Sequence, residues 1–312
     1  MTEETQIVSQ IELPVRERLN IVKNRVCGGS NTKRISVVTG THGDELEGQY
    51  VCYELLRRIK EDKEQLRGIV DVYPALNPMG VDTITRGIPG FDLDMNRTFP
   101  GNKDGAETEQ IAADIVNDLT GSDLVIDIHA SNIFLTEIPQ VRISEEMADL
   151  LVPYAQKLNI DLIWIHAAAT VLHATLAHSL NERGTKTLVV EMGVGMRISK
   201  HYGKQLVDGI MNVMKLLGIW EGEVEELRQP ICCKDEVEFV NAPVSGLFVP
   251  EVAHLTSVKK GDVIGNILEP LHGVLLFRLK AEHDGLVFTI REYPIVDEGS
   301  LIARILIGGG TL

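Results

Sequence analysis

Positive charge is in short supply in this sequence. Its 30 lysines and arginines stand against 45 aspartates and glutamates, which gives a formal net charge of −15 over 312 residues. Nucleic acids and anionic membranes bind proteins through clustered lysine and arginine, so neither class of partner is expected. A few local arginines would still be enough to bind a small anionic substrate.

Long apolar runs are missing as well. The apolar stretches have the length of strands and are broken by charges, so no membrane-spanning segment is expected. Residues 1–4 lack the basic and apolar regions with which a secretory signal begins, and we expect the protein in the cytoplasm. No Cys-x-x-Cys spacing occurs, and the four cysteines are expected to be reduced thiols in packing positions: Cys27, Cys52, Cys232 and Cys233.

Strand and helix patterns alternate from about residue 35 to residue 218. This alternation predicts an α/β fold with a mostly parallel, mixed sheet covered by helices on both faces. Two stretches, residues 79–105 and residues 131–142, show no period and are predicted to be irregular. A loop as long as the first is usually functional.

The pattern changes after residue 220. Beyond an acidic run at residues 221–226, short strand patterns alternate with glycine turns, and residues 242–267 are echoed by residues 281–305. The repeat predicts a small β-sandwich or barrel with pseudo-twofold symmetry. It resembles biotinyl and lipoyl carrier domains, without the lysine of their modification motif. We expect a catalytic domain of residues 1–225 and an all-β, barrel-sandwich domain of residues 226–312.

Three of the predicted strands end in residues that can bind a metal. One leads into His42 and Glu45, the second ends in His129, and the third ends in Glu191. The carboxyl ends of parallel strands meet at one edge of a sheet, where such folds place their chemistry. Two histidines and a glutamate suit Zn²⁺, and a catalytic zinc site keeps an open position for water. The sequence therefore predicts one Zn²⁺ per chain on His42, Glu45 and His129, with Glu191 beside it.

Such a site predicts hydrolysis by activated water. A zinc ion lowers the pKa of water towards about 7 and polarises a carbonyl, and Glu191 would be the general base. Alternatively, Glu191 is a strand-end carboxylate bonded to a turn. Arg86 is predicted to stabilise the developing oxyanion, and Asn96 with Arg97 to clamp a substrate carboxylate, which a guanidinium fork matches. Either arginine could instead be a surface residue on a mobile loop.

Four motifs in this order resemble the succinylglutamate desuccinylase/aspartoacylase family, whose enzymes are relatives of the zinc carboxypeptidases. They lie at residues 40–48, 94–101, 127–129 and 190–193, and the resemblance runs from about residue 37 to residue 218. The β tail resembles the appended domain of that family. The resemblance implies a zinc-dependent hydrolase that cleaves a small N-acyl amino acid into a carboxylate and a free amino acid.

The resemblance also implies a role for each residue of the predicted site. The metal ligands correspond to His42, Glu45 and His129, and the catalytic carboxylate corresponds to Glu191. The carbonyl-polarising arginine corresponds to Arg86, and the carboxylate clamp to Asn96 with Arg97. Aspartoacylases have a tyrosine and an arginine where this chain has Ala177 and Asn181, which argues against N-acetylaspartate as the substrate.

Several alternatives stay open at this point. A carboxypeptidase or small-ester hydrolase would use the same site, and a non-catalytic protein could use it to bind a ligand or metal, although such a binder would not need Glu191. A homo-oligomer is neither required nor excluded. The other histidines of this half are expected to be packed or surface residues, with His166 the candidate for lining the pocket: His166, His173, His178 and His201.

Overall fold

The computed structural model describes residues 1–91, 93–166 and 174–308 of the chain. Within these residues the chain forms six α-helices: α1 (Glu47–Glu61), α2 (Pro78–Thr83), α3 (Glu107–Leu119), α4 (Ala148–Ala155), α5 (Leu176–Glu182) and α6 (Lys200–Leu216). No helix in this described part is both long and apolar enough to cross a membrane.

The described residues also form 17 strands. Those up to residue 193 are β1 (Thr2–Glu12), β2 (Arg18–Cys27), β3 (Arg34–Thr39), β4 (Ile69–Tyr73), β5 (Leu124–His129), β6 (Leu135–Ser144), β7 (Leu162–His166) and β8 (Thr187–Gly193). Those after it are β9 (Ile231–Cys233), β10 (Val237–Asn241), β11 (Gly246–Pro250), β12 (Ser257–Val258), β13 (Val263–Glu269), β14 (Val274–Lys280), β15 (Gly285–Arg291), β16 (Ile295–Val296) and β17 (Leu301–Ile307).

The large sheet has a parallel centre and antiparallel flanks. β4, β3, β5 and β8 lie side by side and parallel, whereas β2 joins β4 and β6 joins β8 in the antiparallel sense. The central strands are rich in valine and isoleucine, and Val37, Ile126 and Val190 have no exposed surface. Parallel strands with such composition need helices on both faces, and the mixed α/β fold expected from the sequence is confirmed.

Helices cover both faces of the sheet. On one face α1 and α6 pack together over a core to which α1 contributes Val51, Leu55 and Ile59 at helical spacing. On the other face α3 and α5 contribute residues such as Ile111 and Leu180. The large sheet is therefore the middle layer, and its carboxyl edge is left for chemistry.

The register of the central strands brings the expected residues to one edge. In the pairing of β3 with β5, Val38 lies opposite Asp127. In the pairing of β5 with β8, His129 lies directly opposite Glu191. Three segments that are far apart in the chain therefore end together.

The prediction that residues 131–142 are irregular is wrong, because β6 begins at Leu135 and continues to Ser144. β6 pairs with β8 on one side and, in the parallel sense, with β7 on the other. Its apolar alternation runs only from Gln140 to Ser144, because Glu137 and Pro139 interrupt it where the pairing with β8 shifts register between Glu137 and Gln140. A bulge changes which face of the strand each later residue occupies, so the period from which strands are predicted is broken there.

The tail has the expected repeat and symmetry. The first copy contains β11, β12 and β13, and the second contains β15, β16 and β17. The short strand β12 pairs with β15, and its counterpart β16 pairs with β11, so each copy contributes a strand to the other. Such a reciprocal exchange of strands is expected of two copies related by a pseudo-twofold axis. The prediction of an all-β C-terminal region is confirmed.

The tail and the catalytic part share the large sheet. β15 pairs with β6, with Thr289 opposite Glu137, and β17 follows β15 in the same sheet. A second sheet of four strands, β14, β13, β11 and β16, lies within the tail. The division of the chain into domains at residue 225 stays a prediction.

Candidate metal and catalytic site

The turn after β3 holds two of the predicted metal ligands. His42 and Glu45 precede α1, and both side chains are buried. The turn packs so closely on α2 that a Cβ at Gly43 would overlap the backbone carbonyl of Gly80. Only glycine fits at this position, and the close contact fixes the loop that carries both ligands.

The three predicted ligands meet at one point. Among the described residues, His42, Glu45 and His129 form the one group of potential metal ligands whose donor atoms lie within 4.8 Å of one another. The Nδ1 atoms of His42 and His129 are 3.3 Å apart, and the two carboxylate oxygens of Glu45 lie 2.9 Å and 3.0 Å from them. In a tetrahedral zinc site with bonds of about 2.05 Å, neighbouring donor atoms are about 3.3 Å apart. The donor set and its spacing therefore fit Zn²⁺.

Both imidazoles have a carboxylate at their far nitrogen. Asp94 Oδ1 lies 3.0 Å from Nε2 of His42, and Asp127 Oδ2 lies 3.2 Å from Nε2 of His129. A carboxylate there favours the tautomer with its proton on Nε2, which leaves the Nδ1 lone pair for a metal. The role of Asp127 was not predicted, although its position two residues before His129 on one strand places both side chains on one face of the sheet.

The electrostatic field of the site favours positive charge. Burial opposes ionisation of Glu45, but its hydrogen bonds with His129 and His42 hold the pKa of this carboxyl well below its usual range. Burial likewise opposes protonation of both imidazoles, yet the pKa of His42 is raised by Asp94 and Glu45, and that of His129 by Asp127 and Glu45. The carboxylates thus outweigh desolvation, and the space between the rings suits a cation.

Glu191 lies in the wall of the same pocket. Its Oε1 atom is 3.4 Å from Nη1 of Arg142, and its buried Oε2 atom has no hydrogen-bond partner among the described residues. Burial raises the pKa of Glu191, and the positive charge of Arg142 opposes that rise. One carboxylate oxygen is thus held and the other is able to accept a proton.

The three remaining predicted residues come from the long loop. Arg86 bridges two carboxylates, with Nη1 3.1 Å from Glu45 and Nη2 3.3 Å from Asp94. Arg97 is exposed at its guanidinium, which donates to the backbone oxygen of Asn96 at 2.7 Å. The side-chain oxygen of Asn96 accepts from the backbone N–H of Leu176 at 3.0 Å, at the start of α5. That contact gives Asn96 a structural role that the sequence did not indicate.

All seven predicted residues line one cavity of about 420 Å³. Ala177 and Asn181, the positions that differ from aspartoacylases, line it too, as do His166 and His178. His201 is exposed on α6, and His173 lies outside the described residues. The cavity is also lined by two arginines that sequence reasoning missed, Arg142 from β6 and Arg304 from β17.

Comparison with known proteins gives matches along most of the chain. The family model for the succinylglutamate desuccinylase/aspartoacylase catalytic domain matches residues 31–217. A curated relative, the N-alpha-acetyl-L-2,4-diaminobutyric acid deacetylase of Halomonas elongata, is 28% identical over 284 residues, which cover 85% of this chain and 80% of the relative.

Solved structures share the fold over nearly the full length. A succinylglutamate desuccinylase/aspartoacylase from Rhodobacter sphaeroides superposes with a TM-score of 0.83 at 23% identity, covering 97% of this chain and 95% of the other. The product-bound ectoine utilization protein EutE (DoeB) from Ruegeria pomeroyi gives a TM-score of 0.83 at 21% identity, with 98% and 95% covered. At these identities the likeness establishes the arrangement of helices and strands.

Proposed function

Because the chain belongs to the succinylglutamate desuccinylase/aspartoacylase family, we propose that it is a zinc-dependent hydrolase that removes the acyl group from a small N-acyl amino acid. The observation that carries this proposal is the convergence of His42, Glu45 and His129, with Glu191 opposite His129 in the sheet. The curated relative is a deacetylase of an N-acetylated amino acid, which supports the same reaction class.

The residues of the site would have separate roles in metal binding and proton transfer. His42, Glu45 and His129 would hold Zn²⁺, which when bound supplies a Lewis acid for the substrate carbonyl and for the attacking water. Glu191 accepts a proton from the water while the oxygen of that water bonds to the carbonyl carbon of the substrate. The same proton passes to the nitrogen of the leaving amine as the C–N bond breaks, which yields a carboxylic acid and the free amino acid. The acid then loses its remaining proton to solvent and leaves as the carboxylate.

The arginines of the pocket support substrate binding. The guanidinium of Arg86, fixed between Glu45 and Asp94, lies beside the ligand cluster, where it would stabilise negative charge on the carbonyl oxygen. Arg97 projects its exposed guanidinium from the loop that lines the cavity and would bind the substrate carboxylate.

The residues that line the cavity also bear on the identity of the amino acid in the substrate. Ala177 and Asn181 provide neither the phenol nor the guanidinium that aspartoacylases have there, and the side chain of Asn181 is engaged with the backbone of Thr187 at 2.9 Å and 3.2 Å. Two carboxylates, Glu146 and Glu182, line the cavity instead. These two exposed carboxylates would pair with a basic group of the substrate, and the curated relative acts on a diamino acid.

The experiment is metal analysis followed by a hydrolysis panel. Purified protein is analysed for zinc, then assayed before and after chelation with N-acetyl-L-2,4-diaminobutyrate, N-acetylaspartate, N-succinylglutamate, a dipeptide and a small ester. We expect about one zinc per chain, loss of activity on chelation, recovery with Zn²⁺, and release of free acid from an N-acyl amino acid.

The panel separates the proposal from its rivals. Cleavage of the dipeptide or the ester alone would favour a carboxypeptidase or an esterase, and binding of zinc without turnover of any compound would favour a non-catalytic protein. His129→Ala is the control variant, since it should lose both zinc and activity. A zinc content unchanged by this substitution would contradict the proposed ligand set.

A further inference from the structure

A half-buried cluster of charges, centred on the fully buried Glu137, connects the tail to Glu191. Arg142 Nη2 donates to both carboxylate oxygens of Glu137 at 2.8 Å, while its Nη1 lies 3.4 Å from Glu191. On the tail side, Nη1 of Arg304 donates to the same Glu137 carboxylate, which also accepts from the hydroxyl of Thr289 at 3.2 Å. Glu137 is thus shared by an arginine of the catalytic part and an arginine of the tail.

The sheet register explains why these side chains meet. Glu137 on β6 lies opposite Thr289 on β15, and Thr289 lies opposite Arg304 on β17. On the other side of β6, Glu137 pairs with Gly193, which has no side chain to compete for the carboxylate. Glu137, Thr289 and Arg304 therefore form a row across three neighbouring strands. On β8 this row meets Gly193, which lies two residues after Glu191.

The cluster is shielded from water and braced by an aromatic ring. The Glu137 side chain has no exposed surface, and those of Arg304, Glu191 and Arg142 are 13%, 15% and 23% exposed. The guanidinium carbons of Arg142 and Arg304 lie 5.7 Å and 5.4 Å from the ring centroid of Trp164. A cation–π contact and charge-assisted hydrogen bonds to a carboxylate both restrict the orientation of a guanidinium. Arg142 is therefore held on two sides before it reaches Glu191.

We propose that Glu137 and the tail residue Arg304 are positioning residues that fix Arg142, and through it the Glu191 carboxylate, so that the C-terminal β region is a working part of the active site. This rests on the proposed role of Glu191 as the proton acceptor. Glu191 has one oxygen near Arg142 and the other unpartnered among the described residues, so Arg142 decides which oxygen faces the pocket.

The first test is kinetic and uses the full-length zinc protein. Arg304→Met should lower kcat about 10-fold or more while KM changes by less than about threefold, since a misplaced catalytic group costs rate more than binding. Arg304→Lys, which keeps the charge, should recover part of the loss. N-acetyl-L-2,4-diaminobutyrate is the first substrate used, and rates are normalised to bound zinc.

The matched control is Arg291→Met. Arg291 is also a tail arginine that lies over an aromatic ring, with its guanidinium carbon 5.2 Å from the Phe134 centroid. Its donors, however, go to the backbone oxygens of Tyr293, Leu301 and Ile295. This variant should keep the kcat of the parent. An equal loss of kcat in both variants would reduce Arg304 to a structural residue, and a raised KM with kcat retained would make it a direct substrate contact.

A second readout does not depend on turnover. Crystal structures of the parent and of Arg304→Met should show the Arg142 and Glu191 side chains displaced or in more than one conformer in the variant. If Arg304→Met does not fold, Glu137→Gln tests the same link with unchanged volume. Unchanged Arg142 and Glu191 positions in the folded variant would overturn the proposal.

The variant Glu191→Gln separates this proposal from the proposed function. Full activity of Glu191→Gln would remove the general base, and with it the function that the positioning residues serve. An inactive Glu191→Gln together with fully active Arg304→Met and Glu137→Gln would leave the proposed function intact and overturn the positioning role alone.

Discussion

Replacing Glu191 with glutamine removes a proton acceptor and leaves the rest of the pocket nearly unchanged. The side-chain volume is kept, and the amide oxygen can still accept from Arg142, whose other partner, Glu137, remains at 2.8 Å. The metal ligands are not touched. We therefore expect Glu191→Gln to fold and to bind zinc as the parent does.

The expected loss of rate follows from the chemistry of the missing carboxylate. A general base contributes about 10²-fold to 10⁴-fold to the rate, which corresponds to about 3 to 5 kcal/mol of activation free energy. The buried Oε2 atom has no hydrogen-bond partner in the described part of the chain, so no neighbouring group is aligned with it to take its place. The loss should appear in kcat, because the substrate contacts remain.

The assay is steady-state hydrolysis with zinc measured on the same samples. Glu54→Gln is the matched control, since Glu54 is also buried and paired with an arginine, Arg57 at 2.9 Å, but does not line the cavity. The control should keep the kcat of the parent. A Glu191→Gln variant with full zinc content and a kcat within about threefold of the parent would refute the assignment, because even a weak general base contributes more than that.

Three further predictions concern binding, metal affinity and stability. Arg97→Ala should raise KM about 10-fold to 100-fold for substrates with a free carboxylate, as loss of a charge-assisted hydrogen bond would, and equal KM values across a carboxylate and carboxamide pair would exclude the clamp. Asp127→Ala should weaken zinc binding about 10-fold to 100-fold in a chelator competition, because His129 loses the carboxylate at its far nitrogen, and an unchanged affinity would exclude that orienting role. Gly43→Ala should destabilise the protein by about 1–3 kcal/mol in chemical denaturation, since its Cβ overlaps the Gly80 backbone, and a stability equal to the parent's would show that the turn can move.

The ligand-bearing elements could be predicted from the sequence because their signals are local. Three of the four parallel central strands, β3, β5 and β8, are short valine- and isoleucine-rich runs that end within three residues of a functional residue, so one local pattern indicates the strand, its carboxyl end and the site residue. The pairing of His129 with Glu191 then follows from the convergence of parallel strand ends. For these elements the local pattern and the tertiary structure agree.

The other half of the site could not be predicted in this way. The side chains of Glu137 and Arg142 point into a charged cluster, and the apolar alternation of β6 is interrupted between Glu137 and Gln140, where its pairing with β8 shifts register. The strand depends on partners more than 40 residues away, Glu191 among them. Asn96 was predicted as a substrate ligand, but nothing in the loop sequence indicates that its side chain accepts from the backbone of α5. Long-range hydrogen bonds of this kind leave no period in the sequence.

The repeat in the tail offers a signal that the motifs do not. Arg304 occupies the position in the second copy that Asn266 occupies in the first, where Asn266 contacts Glu251 and Arg278 at the surface. Two copies with one fold need the same apolar residues but not the same polar ones. Of the two copies, both within the described residues, the second pairs with β6 through β15, and there the symmetric position carries an arginine whose side chain is 13% exposed. At Arg304 the difference in charge between equivalent positions of the two copies therefore coincides with the contact between the second copy and β6.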